Sequence, residues 1–267
     1  VTQYDEAAEQ LIGNLYEGTD VRVKGEEKIN SWPDGKTPQL DIHVDPIDGT
    51  ELFVDYVKEL IAWMQLPGDD RPPRPVCGSM VSVGALRPGS NDPEWGAAAA
   101  PFMLEDGIVQ WTVSANNPAI RIEPDGSRHE LPQASTLSVP ETGGVVLVAS
   151  DSTERIFGDA LRAAGYRVVK YRSAVAAAIC SMDPGLFGRL SPREELGDDP
   201  IIGVVMRTAK NWDVAAVVAM AKKLGHFVSD TRGEPRTFED GANSAVFAVT
   251  GAIGRTLVKA IAPSLHR

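Results

Sequence analysis

Two carboxylates stand three residues apart in Asp45-Pro46-Ile47-Asp48-Gly49-Thr50, and that spacing suits the chemistry of hard cations and phosphate. Carboxylate oxygens are the donors such cations prefer. Leu52, Phe53, Tyr56, Val57, Leu60, Ile61 and Met64 follow at helical spacing and predict a helix over 51–65. Gly49 and Thr50 then fall at a helix N-terminus, where free amides and the dipole favour an anion. Taken alone, the turn could equally be a capped helix start, since Asp and Gly are common turn residues.

Two further acidic segments add to it. Upstream, Glu26 and Glu27 follow the strand-like Val21-Arg22-Val23. Downstream, Trp212-Asp213-Val214-Ala215-Ala216 opens an apolar run that ends near Gly225. Asp213 also suits a helix first turn, where an acid complements the dipole.

In order, these pieces resemble the signature of the inositol monophosphatase family of metal-dependent phosphatases. The family carries an early Asp in Val-Thr-x-x-Asp, then Glu-Glu, then Asp-Pro-Ile/Leu-Asp-Gly-Thr/Ser, then Trp-Asp-x-Ala-Ala. Here they are Val1-Thr2-Gln3-Tyr4-Asp5 with Glu9 four residues on, Glu26-Glu27, the Asp45 turn and Trp212-Asp213. Arg172-Ser173 before the Ala-rich run 174–179, and Gly233, also match. In that family a helical hairpin precedes Val-Thr-x-x-Asp, whereas this sequence begins at the motif.

The resemblance implies a phosphoric monoester hydrolase with a layered α-β-α-β-α sandwich, mixing α+β and α/β halves. It implies two or three Mg2+ ions, with Glu26, Asp45 and the Ile47 carbonyl on the first. Asp45 would bridge to a second that Asp48 and Asp213 complete. Thr50, held by Asp5, would orient the attacking water, and the amides of Gly49 and Thr50 would hold phosphate oxygens. Such ions address the two obstacles to phosphate ester hydrolysis, a shielded phosphorus and a poor leaving group. Lithium sensitivity would follow if lithium replaces the second ion. Glu27 would be a solvated or supporting carboxylate.

Substrate selection departs from the family pattern. The Glu that holds inositol hydroxyls, seven residues before the Trp-Asp aspartate, is Met206 here, and a frequent His three before it is Lys210. Lys210 and Arg172 could meet a second anionic group, or could be a solvated lysine and a surface ion pair. A small sugar, polyol or nucleoside phosphate is therefore expected, with inositol phosphate disfavoured. A 3′(2′),5′-bisphosphate nucleotidase or fructose-bisphosphatase type of enzyme is the alternative, and a non-catalytic relative a third.

Composition bounds the partners. The 267 residues carry 37 acids and 26 Lys and Arg, a formal charge of −11. That surface repels nucleic acid and anionic membrane, so the expected partner is a small phosphorylated metabolite, with room for a homodimer. Cys77 and Cys180 stand far apart in apolar contexts and read as reduced packing residues of a cytoplasmic protein. Four histidines and two cysteines show no zinc spacing. No apolar run reaches membrane-spanning length and no signal peptide is visible.

The elements that must position these residues follow from periodicity. Helices are predicted at 5–16, 51–65, 152–164, 173–180, 213–224 and 255–262. Strands are predicted at 21–23, 40–44, 79–86, 96–104, 108–114, 119–122, 145–148, 166–170, 201–206, 226–229 and 245–249. Segments 67–75 and 183–200 read as inserted loops. The division falls at an N-terminal α+β subdomain, 1–142, with most metal ligands, and a C-terminal α/β subdomain, 143–267, supplying Asp213 and specificity residues.

Overall fold

Valine-rich strands and small-residue helices together build five layers. The computed structural model describes residues 3–26, 32, 36–67, 72, 74–75, 77–104, 107–140, 143–184, 199–238 and 243–265. Glu27 and most of the predicted loops at 67–75 and 183–200 lie outside the described residues.

Helix α1 (Gln3–Leu15) leads to strands β1 (Val21–Gly25) and β2 (Leu40–Asp48), then helix α2 (Thr50–Met64). Strands β3 (Met80–Leu86), β4 (Trp95–Leu104), β5 (Gly107–Ser114), β6 (Asn117–Ile122) and β7 (Arg128–Glu130) complete the first sheet in sequential order. Among the described strands of this sheet only the β1–β2 pair is parallel; the rest is a meander.

The second sheet takes the order β11-β12-β10-β8-β9. Its strands are β8 (Val145–Val148), β9 (Arg167–Lys170), β10 (Ile201–Ala209), β11 (Phe227–Ser229) and β12 (Asn243–Ala248). Helices α3 (Asp151–Ala163), α4 (Ala174–Met182), α5 (Asn211–Leu224) and α6 (Gly251–Ile261) alternate with them. Ser150 and Thr250 cap α3 and α6, their hydroxyls accepting from Thr153 and Ile253.

Helices α4 and α5 lie between the sheets, and α3 and α6 cover the far face of the second sheet. Helix α1 packs on β1 and β2 through Ile12 and Tyr16 over Val23 and Val44. The predicted α-β-α-β-α order is thus the observed one. The largest buried cluster draws on both halves of the chain, from Met80 and Trp111 to Met206 and Phe247.

The middle layer is tight because both surfaces are small. A Cβ on Gly84 would come within 2.4 Å of Ala215 Cβ, and one on Gly96 within 2.6 Å of the Ala216 carbonyl. The alanines after Trp212-Asp213 let the helix backbone rest on β3 and β4.

Helix α2 departs from its amphipathic pattern. Of its apolar residues only Tyr56 is buried, while Ile61 and Met64 are 48% and 52% exposed. Periodicity identified the helix but not a core for it to face.

Candidate metal and phosphate site

Strand β2 ends in the Asp45 turn, which places two carboxylates below the surface. Asp45 is 2% exposed and Asp48 is 7% exposed. The Ile47 amide donates to Asp45 Oδ1 at 3.0 Å, closing an Asx turn. Thr50 Oγ1 donates to the Ile47 carbonyl at 3.1 Å.

Gly49 precedes α2 with φ 82°, a conformation that favours glycine. A Cβ there would also lie 3.1 Å from both the Arg172 carbonyl and Ser173 Cβ. Ser79, 2% exposed, donates its hydroxyl to the Gly49 carbonyl at 2.9 Å and sits 3.0 Å from Cys77 Sγ.

Two more helices begin beside this turn. Asp48 accepts the Ser173 hydroxyl, the Ala174 amide at 3.0 Å and the Val175 amide at 2.9 Å, so it lies against the start of α4. Ser173 in turn accepts from the Ala176 amide at 3.1 Å as the α4 cap. Asp213 sits in the first turn of α5, where its Oδ2 accepts the Lys210 amide at 2.7 Å. Ser82 donates to the Trp212 carbonyl at 3.1 Å and fixes that corner to β3.

These acids raise one another. Burial first, then the charges of Asp48, Asp213 and Glu26, lift Asp45 well above the usual carboxylate range, against the Ile47 amide. Burial raises Asp48 despite the Ser173 hydroxyl and the α4 amides. Asp213 is pushed to about 7 by burial and by Asp48, with the Lys210 amide opposing. Carboxylates under mutual repulsion are ones that a divalent cation relieves.

The donor set fits such a cation in chemistry: oxygen only and in excess negative charge, with Asp45 and Asp48 buried. As the side chains stand, no three His, Cys, Asp or Glu among the described residues close on a common ligating point. Asp48 is engaged with α4 and Asp213 with Lys210, while Glu26 is exposed past the end of β1.

Other predicted site residues fall in varied places. Asp5 is 1% exposed on α1 and Glu9 is fully buried, its Oε1 lying 1.3 Å from where a Gly25 Cβ would be. Lys210 is exposed at the start of α5, and Arg172 pairs with Glu51 of α2 at 3.5 Å. Met206 is wholly enclosed within β10, in the cluster with Val175 and Ala245. As the side chain stands it presents no surface to a ligand, unlike a residue in contact with substrate, although Arg207 beside it is exposed.

Residues with no signal in the sequence also support the corner. Ser79 braces the Gly49 carbonyl across 30 residues of chain, a pairing only the β2–β3 register creates. Asn211 and Arg236 meet behind the start of α5.

Comparison with known proteins places the fold. No family model matches the chain, and no curated protein matches it in sequence. Solved structures do match in shape. The inositol monophosphatase of Thermotoga maritima superposes with a TM-score of 0.67 at 17% identity, covering 100% of this chain and 84% of that one. The extragenic suppressor protein SuhB of Bartonella henselae gives 0.68 at 17%, covering 98% and 84%. Inositol monophosphatase II of Staphylococcus aureus gives 0.67 at 20%, covering 97% and 81%. The fold is that of the inositol monophosphatases.

Proposed function

We propose that this chain is a metal-dependent phosphomonoesterase acting on a small phosphorylated metabolite. The observation that carries this is the gathering of Asp45, Asp48, Asp213 and Glu26, each within reach of another's charge, where α2, α4 and α5 begin. Helix N-termini favour a phosphate, and the acids favour the cations that would accompany it.

Glu26, Asp45, Asp48, Asp213 and the Ile47 carbonyl would hold Mg2+, which when bound supplies Lewis-acid polarisation of the phosphoryl group and an activated water. The amides of Gly49 and Thr50 would bind phosphoryl oxygens at the start of α2. The Thr50 hydroxyl proton is committed to the Ile47 carbonyl, so its oxygen lone pairs are free to accept from a water and orient it. Asp5, buried on α1, would support that side.

Lys210 and its neighbour Arg207 are exposed at the end of β10, and Arg172 is partly exposed. These cations favour a substrate with a second anionic group, such as a bisphosphate, as the second reading. Lithium inhibition is expected on the same metal scheme.

The test is phosphate release from a panel of sugar, polyol, nucleoside and bisphosphate esters with and without Mg2+. Mg2+-dependent release that Asp45→Asn abolishes is the expected result. Full activity and unchanged Mg2+ affinity in Asp45→Asn would remove the site from the reading, and no release from any ester would remove the function.

A further inference from the structure

Arg236 is 2% exposed, one of the largest fully buried side chains of the protein. It lies in Glu234-Pro235-Arg236-Thr237, a segment that reads as a solvated loop. Its Nη2 donates to the Ala209 carbonyl at 3.0 Å and to Asn211 Oδ1 at 3.1 Å. Its Cζ stands 5.1 Å from the centroid of the Phe238 ring. Asn211 returns a bond, its Nδ2 donating to the Phe238 carbonyl at 3.0 Å.

The two acceptors flank Lys210, the residue at which β10 gives way to α5. The β10–β12 ladder is irregular between Met206 and Ala209, so the strand end has lost part of its regular pairing. Arg236 supplies a donor to this broken edge and to the first residue of α5 at once. On the other side, Ser82 holds the Trp212 carbonyl. The Lys210 amide, fixed between these braces, is the donor to Asp213.

The arrangement is costly in its own terms. Arg236 Nε and Nη1 are buried with no hydrogen-bond partner among the described residues, and burial pushes the guanidinium down to about 10. A well-packed apolar side chain would avoid this desolvation. Moreover, a positive charge near a cation site opposes cation binding. Any benefit to the site must therefore come from geometry rather than from charge.

We propose that Arg236 is a positioning residue for Asp213: its guanidinium clamps Ala209 to Asn211 and so sets where the Asp213 carboxylate stands for a bound divalent cation. This rests on Asp213 being a metal ligand, as proposed above. Loss of the clamp should weaken cation binding, as loss of supporting groups behind metal ligands commonly does.

Titration calorimetry with Mg2+ on the whole chain tests it, without reference to turnover. Wild type and Asp213→Asn are compared first: binding that falls in Asp213→Asn supports the ligand assignment, and no binding by wild type overturns that reading and this inference together. With binding in hand, Arg236→Met should bind Mg2+ about tenfold more weakly. Arg236→Lys, which keeps charge without a fork, should fall between. Leu257→Ala, a fully buried site in the outer cluster, controls for general destabilisation and should stay within about twofold of wild type. Unchanged or tighter binding in Arg236→Met overturns the proposal while leaving the metal site standing, tighter binding being the result of charge removal alone. If Arg236→Met fails to fold, Arg236→Lys decides: weakened binding supports the clamp and wild-type binding overturns it.

Discussion

Asp48 and Ser173 lie 125 residues apart in sequence, and the carboxylate of one accepts the hydroxyl of the other at the start of α4. A residue of the Asp45 turn therefore also accepts from the start of a helix in the second half of the chain. Ser173→Ala removes both that donor and the acceptor of the Ala176 amide. We expect a stability loss of about 1–2 kcal/mol in urea unfolding, together with lower turnover. Wild-type stability in this variant would show that the link is dispensable.

His226 provides a pH signature independent of the carboxylates. Burial holds it down to about 4 from 6.5, against a weaker pull from the Ala248 backbone. Between those values the unfolded chain binds a proton that the folded protein refuses. Stability should thus fall as pH drops through this window, by up to about 1.4 kcal/mol per pH unit from this residue. His226→Gln should lack that part of the slope. Identical slopes for the two proteins in chemical unfolding across the window would contradict the assignment.

Met206→Glu distinguishes a core position from a substrate-gripping one. Met206 has no exposed surface, so a carboxylate there must be buried among apolar groups. We expect a loss of about 3 kcal/mol or more in stability and no gain in kcat/KM on inositol 1-phosphate, itself expected to be a poor substrate. A stable variant with improved turnover of that ester would place position 206 in the pocket.

Lys210→Ala separates mono- from bisphosphate substrates. Lys210 is exposed beside Asp213, so a second anionic group would meet it at the rim. KM for a bisphosphate should rise about fivefold, the equivalent of about 1 kcal/mol, and less at high salt. A matched monophosphate should change little. Equal small effects on both would mark Lys210 as a solvated side chain.

Much of the fold was legible because period and punctuation agreed. The run Val145–Val148 and the small-residue helix α4 are both strongly patterned, and their limits fall within two residues of expectation. Strand β7 escaped notice because its three residues are all exposed and charged or polar. The Asp45 turn, Glu26 and Asp213 were picked out by their motif order, and they are the residues now proposed to form the site. Arg236 was not, because nothing local distinguishes a buried arginine from a solvated one; only the approach of β10, α5 and the 236–238 segment creates its environment. The apolar stripe of α2 identified its helix correctly, but periodicity reports a face without reporting a neighbour to cover it.

The glycines under α5 have a mechanical consequence. With Gly84 and Gly96 in near contact with its backbone, this helix has no clearance in which to rock, and Asp213 in its first turn is carried on that seam. Helix α2, rising from Gly49 and Thr50, has Tyr56 as its one buried residue. On the proposed scheme, with phosphate at the start of α2, the more tightly packed wall is the one that carries Asp213. Amide exchange should register that contrast as slow protection along α5 and rapid opening along α2.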